Sequence, residues 1–223
     1  MNSDGLDTGR PFLIVHKGKR TGGTALIRAL AEVGDLHVLL DPLHQSIQQP
    51  FSQLSEMSSD DWSSHHPRGY RYFDSYRPLL VEGLIPGVPS DVFAHYAPAP
   101  DARLDALFSY LAGLRDGVRG LRRIPVLAFE ASEGRIAWLR RSFPDAIQLG
   151  VIRDYPGQLQ SWFLQAAYGN FDFFRIAREI MTRNPGWFGL KGEQLPQGPL
   201  ETLAASDLEL IFRHYREHVV SEV

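Results

Sequence analysis

The chain contains no cysteine. Disulfides, thiolate metal sites and cysteine nucleophiles are therefore excluded, and the redox compartment stays open. No apolar run approaches the roughly 20 residues that a membrane-spanning helix requires. The N-terminus is polar and acidic and lacks the h-region of a secretory signal. A cytoplasmic protein with no membrane partner is expected. Positive charge is not in excess either. The net charge of −3 argues against a nucleic-acid partner, so any anion site must be a local concentration of cations. Internal repeats and low-complexity tracts are absent as well. What remains is an ordinary globular composition, 43% hydrophobic and 22% charged over 223 residues, enough for one substantial core.

Short apolar runs alternate with amphipathic ones along the chain. Strands are expected at residues 11–16, 36–40, 124–129 and 146–152. Helices are expected at 24–33, 101–119, 131–143, 156–168, 171–183 and 201–219. Inward faces should carry Leu104, Leu107, Phe108, Leu111 and Leu114 in one helix and Ile136, Leu139 and Phe143 in the next. Residues 45–78 read as a long irregular excursion, rich in Trp, Tyr and Arg toward its end. It is a lid or substrate loop, or a surface loop whose aromatics pack on the domain. Residues 79–85 read as a strand or a short buried segment. Strand–helix alternation predicts an α/β domain, three-layered around a mainly parallel sheet. A single domain over 1–223 is expected, lacking its C-terminal part, because the last helix stops without a tail.

One stretch carries chemistry. A short buried strand ends at His16, and Lys17-Gly-Lys-Arg-Thr-Gly-Gly-Thr24 leads into a helix. A glycine-rich loop before a helix N-terminus points N–H groups at an anion and adds the positive end of the helix dipole. A nucleoside-triphosphate loop would place a lysine directly before its Ser or Thr. No lysine precedes Thr24, and the cation Arg20 lies inside the loop. A second constellation lies downstream, where the strand at 146–152 runs into Arg153-Asp-Tyr-Pro156, with Ser161 eight residues after Arg153.

Gly18-Lys-Arg-Thr-Gly-Gly-Thr-Ala-Leu26 resembles the 5′-phosphosulfate loop of sulfotransferases that use 3′-phosphoadenosine 5′-phosphosulfate (PAPS). The Arg153…Ser161 segment resembles the 3′-phosphate motif of the same family, in the same order along the chain. The resemblance covers roughly residues 11–44 and 124–168. It implies a P-loop-NTPase-like topology and in-line transfer of a sulfuryl group to a hydroxyl or amine, with no metal. The product would be 3′-phosphoadenosine 5′-phosphate, and the acceptor a small molecule or carbohydrate. It also implies that Lys19, Arg20, Thr21, Gly22, Gly23, Thr24 and Ala25 hold the 5′-phosphate and that Arg153 and Ser161 hold the 3′-phosphate. Arg20 would be the catalytic cation over the bridging oxygen. The chain departs from the family pattern at Gly23, where a hydroxyl residue is usual, and at Tyr155, which displaces the family's proline to Pro156.

The acceptor needs a base. Asp41 and His44 follow the second strand, at the sheet edge where α/β proteins bind ligands. Asp41 before Pro42 is also what a simple turn requires. Glu82 and Glu130 read more readily as buried ion-pair partners, and His65 and His66 lack a third metal ligand. Two other functions stay open: a nucleotide kinase or NTPase with a degenerate loop, and a sulfotransferase-like domain that binds without turnover.

Overall fold

The computed structural model describes residues 11–18, 20–42, 70–86, 101–129, 135–186, 188–190 and 195–222. Four strands form the sheet: β1 (Phe12–Lys17), β2 (Leu36–Leu40), β3 (Ile124–Phe129) and β4 (Ala146–Val151). All pairings are parallel, in the order β2-β3-β1-β4. Parallel strands need crossovers. The helices that follow β1 and β4 are α1 (Gly23–Ala31) and α5 (Tyr155–Ala167). The others are α2 (Tyr70–Val81), α3 (Asp101–Gly120), α4 (Ile136–Ser142), α6 (Asp172–Arg183) and α7 (Ala205–Glu222).

Side-chain alternation divides β1 between two layers. Phe12 and Ile14 join Leu39, Leu127 and Phe129 in a core closed by Leu107, Leu111 and Leu114 of α3 and by Leu139 of α4. Val15 faces the other way, against Val126, Ala128 and Ile27 of α1. This is the expected three-layer α/β architecture. A further cluster gathers α5, α6 and α7 around Trp162. The Trp162 ring meets Phe174 at 5.1 Å and Phe212 at 5.0 Å, both edge-on. Such pairs contribute about 0.5–1.5 kcal/mol each beyond the buried area. Trp162 is therefore core, as its place in the helix suggests.

Four details differ from the sequence expectations. Residues 70–78 of the irregular excursion belong to α2, which holds the edge of β2: the Tyr76 hydroxyl donates to the Leu40 carbonyl at 3.0 Å. Residues 45–69 lie outside the described set. Residues 79–85 form no strand. Leu79 is buried in the last turn of α2, and Leu84 and Ile85 pack on the same core, so burial alone explains their apolar character. Phe108 is exposed, although its ring stacks on Phe143 at 5.1 Å. Glu82 is exposed rather than a buried partner, while Glu130 lies outside the described residues.

Two histidines of the sheet are drawn into this scaffold, His16 buried and His37 half-buried. His16 Nε2 donates to Gln148 Oε1 at 2.7 Å, and His37 Nε2 donates to the Ser75 carbonyl at 2.7 Å. Burial holds both below the ordinary imidazole pKa of 6.5. The unfolded chain therefore binds protons that the fold refuses. The stability is complete above pH 6.5 and is lost as pH falls below it, toward the lowered folded values. The expected slope reaches about 1.4 kcal/mol per pH unit for each histidine. Urea unfolding midpoints at pH 7.5 and 5.5 measure it, and His16→Gln should flatten the dependence by about half.

Candidate functional site

The three cores fix where the loop after β1 must lie. β1 is a central strand, and its C-terminal end opens directly into residues 18–22 before α1 begins. The loop is held in a strained shape. Arg20 has φ of +61° and Gly22 has φ of +89°. Gly22 is the N-cap of α1 and offers no side-chain cap. Gly23 and Thr24 open the helix, so their N–H groups have no partner inside it. Thr21 Oγ1 donates to the Gly18 carbonyl at 2.9 Å, and the Ala25 amide donates to the Gly22 carbonyl at 2.9 Å. The donors aimed outward are thus the early amides rather than the Thr21 hydroxyl or the Ala25 N–H.

Gly23 has a steric reason. A Cβ there would lie 2.6 Å from both Cβ and Cδ of Lys17. The aliphatic stem of Lys17 runs directly beneath the first turn of α1, and only glycine lets the two backbones approach.

The second constellation follows β4. Arg153 stands two residues past the strand, and Asp154 caps α5 by accepting the Gly157 amide at 2.7 Å. A Cβ on Gly157 would sit 2.8 Å from the Asp154 carboxylate and 3.0 Å from Arg153 Nε. Glycine thus lets both side chains fold over the helix start. In Gly157→Ala, loss of the cap, about 1 kcal/mol, is offset by a gain in helix propensity of similar size. The expected result is an almost unchanged melting temperature with a displaced Arg153, read as several-fold weaker anion binding in a titration. From α7, Arg216 supports this corner. Its Nη2 donates to the Arg153 carbonyl at 3.0 Å, and its Nε donates to Gln158 Oε1 at 3.3 Å.

The two constellations meet. Arg20 Nε donates to Ser161 Oγ at 2.8 Å, across 141 residues of sequence. A cavity of about 450 Å³ lies against both, within the usual range of ligand sites. Its wall contains the loop from Gly18 through Ala25, apart from Lys19, which lies outside the described residues, together with Arg153. Lys17, Arg28 and Phe173 line it as well. Arg20 lies 5.8 Å from the Phe173 ring centroid, a cation–π distance. Among the described lining residues four are cations and none is acidic. In a chain of net charge −3 this is a focused positive field.

Other expected site residues fall elsewhere. Ser161 is buried, engaged by Arg20, and outside the cavity wall. Asp41 is only 2% exposed, has φ of +40°, and donates its amide to Ala128 at 2.6 Å. It does not line the cavity either. His44 lies outside the described residues. Arg28 and Phe173 were not foreseen. Arg28 follows Thr24 by four residues, the spacing of one helix face, and that signal was present in the sequence. Phe173 gave no comparable signal.

No family model, curated protein or solved structure matches the chain. Function therefore rests on the chemistry of the site and not on kinship. Among the described residues, no cluster of three or more His, Cys, Asp or Glu could hold a metal, and no helix is long and apolar enough to cross a membrane.

Proposed function

We propose that this cavity binds an adenosine nucleotide phosphorylated at both ends of its ribose, and that the chain transfers the sulfuryl group of PAPS to a hydroxyl or amine acceptor. The observation that carries this reading is the meeting of the loop at 18–25 with Arg153 around one cavity whose described lining residues include four cations and no acid. The loop amides and the α1 dipole suit a 5′-phosphate. Arg153 suits a second phosphate through its planar fork of donors. Arg20 stands within the loop, where charge would develop on the bridging oxygen as the sulfuryl group leaves. Fixed cations at such a point supply the largest share of catalysis in comparable transfers.

A second reading is binding without transfer. It is favoured by Asp41, which is buried away from the cavity and so does not reach an acceptor there. Incubation with ³⁵S-labelled PAPS and a panel of sugars, phenols and peptides separates the two. Transfer predicts label on an acceptor, and binding alone predicts label retained on the nucleotide. Arg20→Ala is expected to lower transfer by about 100- to 1,000-fold. Arg20→Gly should do the same and be about 1 kcal/mol more stable than Arg20→Ala, because both lose the Ser161 bond while glycine relieves the left-handed backbone at that position.

A further inference from the structure

Resting on the nucleotide reading above, we infer that Arg28 is a specificity-determining residue, which holds the 3′-phosphate together with Arg153. The resemblance assigns that partnership to Ser161. The geometry points elsewhere, because Ser161 is 8% exposed, accepts from Arg20 at 2.8 Å and does not line the cavity. Arg28 does line it, and is exposed. Among the described residues Arg28 has no hydrogen-bond or ion-pair partner, and the ion pairs there join Asp116 and Asp172 to other arginines.

Placement on α1 and the charge balance together assign the phosphate that Arg28 serves. Arg28 lies four residues past Thr24, about 6 Å along the helix axis from the amides that open it. Its side chain leans back toward the N-terminus over the Thr24–Ala25 face, which is cavity wall. From there its guanidinium serves an anion that lies beside the loop in the cavity that Arg153 also lines. The charges agree. Each phosphomonoester carries about −1.5 to −2 at neutral pH, so a nucleotide with two of them carries about −3 to −4. Lys17 and Arg20 lie with the loop, which leaves Arg28 and Arg153 for the second group.

Calorimetric titration of the full chain with 3′-phosphoadenosine 5′-phosphate and with adenosine 5′-phosphate tests the assignment. Wild type should prefer the doubly phosphorylated nucleotide. Arg28→Gln should lower that affinity about 10- to 30-fold, leave adenosine 5′-phosphate within about twofold, and keep the melting temperature. Arg28→Lys should restore part of the preference. An Arg28→Gln variant that weakens both nucleotides equally, or neither, overturns the assignment while wild-type preference keeps the nucleotide reading intact. A purely structural role at the C-terminal end of α1 gives a lowered melting temperature with unchanged preference, and that too overturns it. Wild type that binds neither nucleotide overturns the reading and the assignment together.

Discussion

Arg153→Ala is expected to weaken binding of 3′-phosphoadenosine 5′-phosphate by about 30- to 100-fold. A charge-assisted contact to a phosphate contributes about 1.5–3 kcal/mol, and each 1.4 kcal/mol is a factor of ten. The fold should tolerate the change. Arg153 is exposed, and its fixed contact with the rest of the chain is made through its carbonyl, which accepts from Arg216. That backbone bond survives truncation of the side chain. Circular dichroism and melting temperature should therefore match wild type while calorimetry reports the loss. Arg153→Lys keeps a charge but not the fork, and an intermediate loss is expected. An unchanged affinity in Arg153→Ala would mean that the cavity binds its ligand without the downstream constellation.

Gly23→Ala should have the largest effect on the fold. The added methyl meets Lys17 Cβ, which belongs to a central strand and cannot swing aside as a side-chain tip could. Relief requires that α1 lift away from β1, and overpacking of this kind costs about 1–3 kcal/mol. For a domain of this size, at about 2–4 °C per kcal/mol, that corresponds to a fall in melting temperature of about 2–12 °C. The same displacement moves the first amides of α1 away from the anion, so phosphate affinity falls together with stability. A Lys17→Ala/Gly23→Ala double variant removes the Cδ clash but keeps the Cβ one, and only partial recovery is expected. Comparison of the two by thermal melting checks that the contact, rather than helix propensity, is responsible. Propensity alone favours alanine in a helix.

Much of the fold was legible because its strands are short, apolar and bounded by turn residues. β2 begins and ends where its apolar run does, and β3 likewise. Helix α2 was hidden by Pro78, which reads as a break, and by polar and aromatic residues that dilute the periodicity. Tyr76 shows why such a segment folds as a helix anyway: its ring is buried and its hydroxyl closes the edge of β2. At the site, local chemistry was readable and long-range pairing was not. The loop, its glycines and Arg153 could be singled out by residue type. The contact between Arg20 and Ser161 depends on how α5 is set against the loop, which no spacing encodes. Gly23 looked like a lost hydroxyl, and the position of Lys17 beneath it supplies the reason. Asp41 looked available after a strand, yet its amide is tied to β3 and its side chain is buried.

The central claim is that one cavity grips two phosphates on a single ribose. Calorimetric titration of the wild-type chain with 3′-phosphoadenosine 5′-phosphate, adenosine 5′-phosphate and magnesium ATP tests it most directly. The doubly phosphorylated nucleotide should bind at least about tenfold more tightly than either of the others, since its second phosphate adds one charge-assisted contact or more. Equal affinity for all three, or tighter binding of magnesium ATP, would contradict the account.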